Sequence, residues 1–553
     1  MTSTEATTAT ATGRAIQNPV LAGFHPDPSI LRVGSDFYIA TSTFEWFPAV
    51  RLHHSVNLVD WEPLGGALNE KRLLDLTGTA DSGGVWAPSL TYAHGEFHLL
   101  YTDVATFAGG YWDPQNYLVT ASSLSGPWSD PVVLHGRGFD ASLFHDEDGS
   151  TWMLSMVGDA RPGHNRFAGI SVQRYDRAAR KLVGDEHMIF KGTAAELTEA
   201  PNLYRVNGWY YLLTAEGGTS WTHQVTVARS RDILGPYETD PNGPMLTSAG
   251  HPELTLQKAG HGSLVETPAG QWYLAHLVGR PYSTLGRCVL GRESALQEVT
   301  WTEDGWPRIA GGIPADSVPA PLGVVVPAER PVSSEYQEAD DFDAPALGVN
   351  WSTLRRPATP DWVSLTARPS FLRITGGQSP MTRFRPSLVA RRVVARSCEL
   401  DTVLEFTPRN YRQLAGITAY YSTRNWYYLN VTAEDDGTPV LEILACDSGK
   451  IRVVPGTRVD VSGLSRLGLK VRLDGEELTF AYATDPDAAE PGWQAIGPAF
   501  DATTLSDEYA AQVVAGEPEA WGFTGAFVGL WVQDLGAEGG YADFDRASYK
   551  TSG

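Results

Sequence analysis

SDFYIATST, residues 35–43, is a short aromatic strand entered through a turn, and the chain repeats it. The pattern returns as GEFHLLYTD at 95–103, GSTWMLSM at 149–156, GWYYLLTAE at 208–216 and GQWYLAHLV at 270–278. Successive copies start 54 to 62 residues apart. A period of that size, carried by aromatic and β-branched runs with Gly, Asp and Asn between them, fits a β-propeller with one four-stranded sheet per blade. Five copies predict five blades.

A second element precedes each aromatic strand in register. Its copies are Asp27-Pro-Ser-Ile, Trp86-Ala-Pro-Ser-Leu, Asp140-Ala-Ser-Leu, Glu199-Ala-Pro-Asn-Leu and His261-Gly-Ser-Leu. A small residue or proline, then Ser or Asn, then an aliphatic residue opens the strand each time, and only the leading residue changes in chemistry. If these strands are innermost, Asp27, Trp86, Asp140, Glu199 and His261 converge on the propeller axis. One such carboxylate reads as a strand cap; three in equivalent frames read as a site. Asp27 is also fenced by Pro26 and Pro28, each of which locks its own φ, removes an amide donor and restricts the residue before it. Rigid placement of that kind suits a reacting group. A weaker repeat, SVNLVDW at 55, SSLSGPW at 122 and SRDILGPY at 230, predicts turns that pack one blade on the next.

Carboxylates gathered in a cleft cannot all ionise freely: repulsion and desolvation raise the pKa of one while another stays charged. That split is the acid/base pair needed to hydrolyse a glycosidic bond. Trp86 would offer a flat apolar face to a sugar ring. His with carboxylates could also hold a metal, but the spacing lacks a compact ligand motif, so no metal ligand is assigned.

Composition agrees. A length of 553 residues predicts two domains, and 42% hydrophobic with 19% charged residues describes a globular chain. With 17 Trp, 22 Tyr, 19 Phe, 56 Gly and 36 Pro, β-rich architecture is favoured. The net charge of -23 argues against nucleic-acid and anionic-membrane partners and leaves a neutral ligand such as a sugar compatible. Cys288, Cys398 and Cys446 form neither a disulfide framework nor a metal knuckle, which predicts reduced thiols and a cytoplasmic location. The opening MTSTEATTATATGRA has no apolar core, so residues 1–15 read as a disordered tail rather than a secretory signal.

The propeller repeats extend over 16–314, and a Pro-rich stretch, 315–339, reads as a linker. From 340 to 553 strands alternate again, with Asp474-Gly475 as a hairpin turn, which predicts a β-sandwich. The fold expected is therefore all-β, a five-bladed propeller followed by a C-terminal β-sandwich. Trp426, Tyr427 and Tyr428 could mark the sandwich as a sugar-binding module, although core packing is the simpler reading.

NPVLAGFHPDPSI, TSTFEWFPAV, DSGGVWAPSL, GFDASLFHDEDG, TEAPNLY, LLTAEGGT, QKAGHGSLV and LGRESA, in this order, resemble glycoside hydrolase family 43. The resemblance is strongest to its β-xylosidases with a C-terminal β-sandwich and runs from Asn18 to YADFDRASY at 541–549. It implies hydrolysis with inversion, with Asp27 as general base, Glu199 as general acid and Asp140 as the residue that raises and orients the acid. Inversion requires acid and base carboxyls roughly 6.5–9.5 Å apart. Substrate contacts carried over in the same way are Phe44, Trp86, His261, Arg292 and, sent in from the sandwich, Phe523. A surface ion pair with Glu293 is the competing reading of Arg292. No cofactor is required, though some members hold a divalent cation at the central His, which leaves room for calcium near His261. Where many such xylosidases read Glu-Gly-Pro-His, this chain has Glu199-Ala200-Pro201-Asn202, which puts the neighbouring subsite in question.

The resemblance implies an inverting exo-β-1,4-xylosidase acting on xylobiose and short xylo-oligosaccharides. An α-L-arabinofuranosidase or a dual-activity enzyme is the near alternative, because the two sugars present similar hydroxyls. A retaining fructan-cleaving propeller and a non-catalytic sugar-binding protein are more distant ones. Self-association into a homo-oligomer is a further expectation from the resemblance.

Overall fold

Each repeat folds as one antiparallel sheet whose first four strands follow in chain order, apart from a two-residue strand, Trp46–Phe47, that leaves blade 1. The computed structural model describes residues 14–107, 111–327, 329, 338–514 and 517–552. The leading motif supplies the first strand of every sheet: Ser29–Val33, Gly84–Ala93, Ser142–His145, Glu199–Val206 and Gln257–Glu266. The aromatic repeat supplies the second: Asp36–Thr41, Glu96–Thr106, Thr151–Gly158, Trp209–Glu216 and Trp272–Gly279. First strands touch their neighbours around a closed ring, blade 5 returning to blade 1. They are the innermost strands of a five-bladed propeller.

The repeated Ser or Asn has a physical use. Ser29 Oγ accepts from Leu90 N at 3.0 Å, and Ser142 Oγ donates to Pro201 O at 2.6 Å. Asn202 Nδ2 donates to Gly262 O at 3.2 Å, and Ser263 Oγ accepts from Ile30 N at 3.2 Å. Thr91 and His145 join blades 2 and 3 at 3.0 Å. Each inner strand is thus bonded to the next, and four of the five joints satisfy a backbone N–H or C=O. The weaker repeat behaves as predicted: Trp61 packs between blades 5 and 1, Trp128 between 1 and 2, and Tyr237 against the cluster of blades 3 and 4.

The expected linker is a spacer only in part. Ser317–Val318 pairs with Ile16–Gln17, and Val318, Ala320 and Val326 are buried with Val20, Leu21 and Ile30. Burial of these apolar side chains on the rim of blades 1 and 5 outweighs the freedom of a Pro-rich segment. The predicted tail lies, except for Arg14 and Ala15, outside the described residues.

The second domain packs an eight-stranded on a nine-stranded sheet. Trp426, Tyr427 and Tyr428 are buried in it, so they are core and not an exposed sugar platform. The hairpin near Asp474 forms with Asp474 paired to Glu477, so its loop is Gly475-Glu476, with Gly475 taking the left-handed φ of 60°. All three cysteines are free and buried. The nine-stranded sheet ends in a strand from the propeller: Trp46–Phe47 pairs with Ser352–Leu354, and Trp46 stacks on Phe527 at 3.7 Å. TFEWFP therefore points Phe44 and Trp46 to two different jobs. Among the described residues no helix is long and apolar enough to cross a membrane.

Candidate active site

Two residues before the Ser or Asn of each inner strand the backbone takes a left-handed step. Asp27 (φ 56°), Ala87 (33°), Asp140 (54°), Ala200 (53°) and His261 (51°) occupy equivalent places in the five blades. Pairing with the second strand slips at Trp86/Ser89, Glu199/Asn202 and Gly260/Ser263. Such bulges re-aim a side chain, here toward the axis.

All eight residues picked from the sequence, Asp27, Phe44, Trp86, Asp140, Glu199, His261, Arg292 and Phe523, line one pocket of about 450 Å³. Asp27 Oδ2 accepts from Ser42 Oγ at 2.6 Å, and Ser42 Oγ in turn accepts from Ala87 N at 2.7 Å. Asp27 Oδ1 lies 3.3 Å from Arg292 Nη1 and 3.7 Å from His261 Nδ1. Burial alone would push the Asp27 carboxyl up, but Arg292, His261 and the Ser42 hydroxyl outweigh it and hold it below the usual carboxylate range. His261 is pushed down by burial, against the opposing pull of Asp27.

Glu199 is the converse case. Burial first, and the charge of Asp27 second, push its carboxyl up to about 8, with Arg292 pulling the other way. Asp140 is also raised, by burial and then by Glu199 and Asp27. Asp140 and Glu199 therefore keep at least one proton between them at neutral pH, while Asp27 is ionised.

Arg292, 2% exposed, forms no surface pair with Glu293. Glu293 instead takes a forked pair from Arg280 at 2.7 Å and an amide from Gly23. Arg292 donates to Asp27 and, through Nε and Nη2, to the Phe523 carbonyl at 3.2 and 2.9 Å. Phe523 N donates to Ser82 Oγ at 3.1 Å, and Trp86 Nε1 to Ser82 O at 3.0 Å. The sandwich residue is thus bolted to the propeller on both sides. Phe44, Trp86 and Phe523 form an aromatic corner, with ring centroids 5.6–6.0 Å apart.

Trp112, Phe139, Phe167, Leu197 and Trp521 also line the pocket and were not picked from the sequence. Phe139 lay within GFDAS, and Trp521, stacked on Phe523 at 5.2 Å, lay two residues from FTGAF. Trp112 and Phe167 had no repeat to mark them. Asn202 lies outside the pocket, so that departure from Glu-Gly-Pro-His falls on the joint between blades 4 and 5.

Calcium near His261 would have to take most of its ligands from water. That ion takes six to eight oxygen ligands. Among the described residues no three His, Cys, Asp or Glu side chains gather as a metal cluster, and the Arg292 guanidinium stands beside Asp27 and His261.

Residues 16–307 match the model of glycosyl hydrolases family 43, and residues 339–550 that of the beta xylosidase C-terminal Concanavalin A-like domain. The chain belongs to glycoside hydrolase family 43. It is 45% identical to Xylosidase/arabinosidase 43B of Humicola insolens, over 97% of each chain. It is 42% identical to the Beta-xylosidase of Bacillus subtilis (strain 168), over 97% of this chain and 99% of that one. The crystal structure of xylan beta-1,4-xylosidase from Bacillus halodurans C-125 superimposes with a TM-score of 0.92 at 48% identity, covering 97% of this chain and all of that one.

Proposed function

We propose that the chain is an inverting, exo-acting β-1,4-xylosidase that removes xylose from the non-reducing end of xylobiose and short xylo-oligosaccharides. The observation that carries this reading is the pairing of an ionised Asp27 with a raised Glu199 in a pocket walled by Phe523 of the sandwich. Asp27, held by Ser42, Arg292 and His261, is the base that takes a proton from water as its oxygen attacks the anomeric carbon. Glu199 gives its proton to the leaving oxygen, and Asp140 beside it favours the protonated acid. The aromatic corner takes the apolar face of the sugar, and Arg292 anchors both Asp27 and the Phe523 wall.

A wall of that kind supports exo action, because the non-reducing sugar has nowhere further to go. Reducing-end-labelled xylotetraose tests it: labelled trimer should precede labelled dimer, and labelled dimer formed first would contradict exo cleavage. The xylosidase/arabinosidase name of the Humicola insolens relative supports a second activity, on terminal α-L-arabinofuranosides, in the same pocket.

A further inference from the structure

Glu216, the acid of LLTAEGGT, is used by nothing described above, yet it is 0% exposed. It ends the strand Trp209–Glu216, one residue past Ala215, the pairing partner of Glu199. Its carboxylate makes no ion pair with Lys, Arg or His among the described residues; four hydrogen-bond donors surround it instead. Oε1 accepts from Thr193 N at 2.7 Å and Thr198 Oγ1 at 2.8 Å. Oε2 accepts from Thr193 Oγ1 and Thr226 Oγ1, both at 2.6 Å. A buried charge tolerated without a counter-ion requires that its hydrogen bonds be well made.

Three of the four bonds hold the two ends of one segment, residues 193–198, immediately before Glu199. That segment carries two consecutive left-handed residues, Glu196 (φ 60°) and Leu197 (φ 53°). Non-glycine residues stay in that conformation only where their surroundings over-determine it. The Glu196 carbonyl is tied to Gly217 N at 2.9 Å, and Leu197 is turned into the pocket lining. Gly192 is part of the same clasp: a Cβ there would meet Thr198 Oγ1 at 1.9 Å and Glu216 Oε1 at 2.9 Å.

We propose that Glu216 is the positioning residue of the acid: it clasps Thr193 and Thr198, and so holds Glu199 and Leu197 at the leaving-group side of the pocket. The inference rests on the reading of Glu199 as general acid. Glu216 touches neither substrate nor proton; it acts through Thr198.

The test compares xylobiose, whose leaving oxygen needs protonation, with 2,4-dinitrophenyl β-xyloside, whose leaving group does not. Glu216→Gln keeps the size but replaces one acceptor oxygen with a donor, and Thr198→Val removes a single bond at nearly constant shape. Each should lower kcat/KM on xylobiose about 10-fold or more and on the aryl xyloside by less than about 3-fold. The loss should lie in kcat, not KM. Equal loss on both substrates in a folded Thr198→Val protein, or no loss on either, would overturn the inference. Glu199→Ala is the reference. If it is selective for xylobiose and the clasp variants are not, Glu216 is merely structural; if Glu199→Ala shows no selectivity, the acid assignment falls and this inference with it.

Discussion

Asp27, Asp140 and His261 each stand in backbone that L-residues avoid, at about 1–2 kcal/mol apiece. The residue before a proline is ordinarily pushed to extended conformations, yet Asp27 before Pro28 is left-handed at φ 56°. Ala200 carries the same strain at 53°. Strain gathered at one ring of positions is what a site with aimed side chains requires. The opposed shifts of Asp27 and Glu199 give the pH dependence. Glu199 must be protonated, so kcat/KM on xylobiose should fall as pH rises through about 8. Asp27 must be ionised, and its carboxyl lies below the usual range, so activity should persist into mildly acidic solution and fail only on further acidification. An alkaline limb below pH 6 would contradict the assignment of Glu199.

The unit that carries those residues is the inner strand with its side-chain joint to the next blade. Ser142 Oγ donates to Pro201 O, two residues from Glu199, so the joint bears on both fold and site. Ser142→Ala should cost about 1–3 kcal/mol by leaving that buried carbonyl unpaired. Denaturant titration checks this, and an unchanged midpoint would mean the joint is not a stabilising bond. At this scale the sequence was most informative, because repetition gives five readings of one local geometry. Asp, Trp, Asp, Glu and His were legible as a ring because a Ser or Asn followed by Leu or Ile comes two or three residues after each; the extra residue at Trp86 and Glu199, which puts Ala87 and Ala200 at the left-handed step, was not read as a shift of register. The left-handed step was not legible: Pro28 argued for extended backbone, and only the ring closure shows what over-determines it. Glu216 was visible inside a motif, but its clasp depends on a segment 18 to 23 residues away.

The two domains form one pocket because they share more than a surface. Trp46 enters the sandwich sheet, Phe523 enters the propeller mouth, and Arg355 of the sandwich is buried against the propeller. Arg355 donates to Thr79 O at 2.8 Å and Asp81 Oδ1 at 2.7 Å, and Thr423 closes the other oxygen of Asp81 at 2.5 Å. Ser82, next in the chain, is where Phe523 and Trp86 are tethered. Arg355→Met should therefore leave the Asp81 carboxylate with only the more distant Arg383 as counter-ion, destabilise the protein by at most about 3–5 kcal/mol, and raise KM as the Phe523 wall loosens. A thermal midpoint and KM both like the wild type would contradict that coupling. The Phe523 wall was expected from the resemblance, but the Trp46 strand and the Arg355–Asp81 pair were not readable in advance, since Arg355, Asp81 and Trp46 are ordinary residues until the partner domain is in place. The alternation that predicted a sandwich could not say which edge would accept a propeller strand.

The reaction itself decides between a water and a covalent bond at the anomeric carbon. Proton NMR of xylobiose cleavage, followed from the first seconds, reads the configuration of the released sugar before it mutarotates. α-Xylose should appear first, as attack of water activated by Asp27 requires. β-Xylose appearing first would mean a glycosyl-enzyme intermediate, and would contradict the division of labour between Asp27 and Glu199.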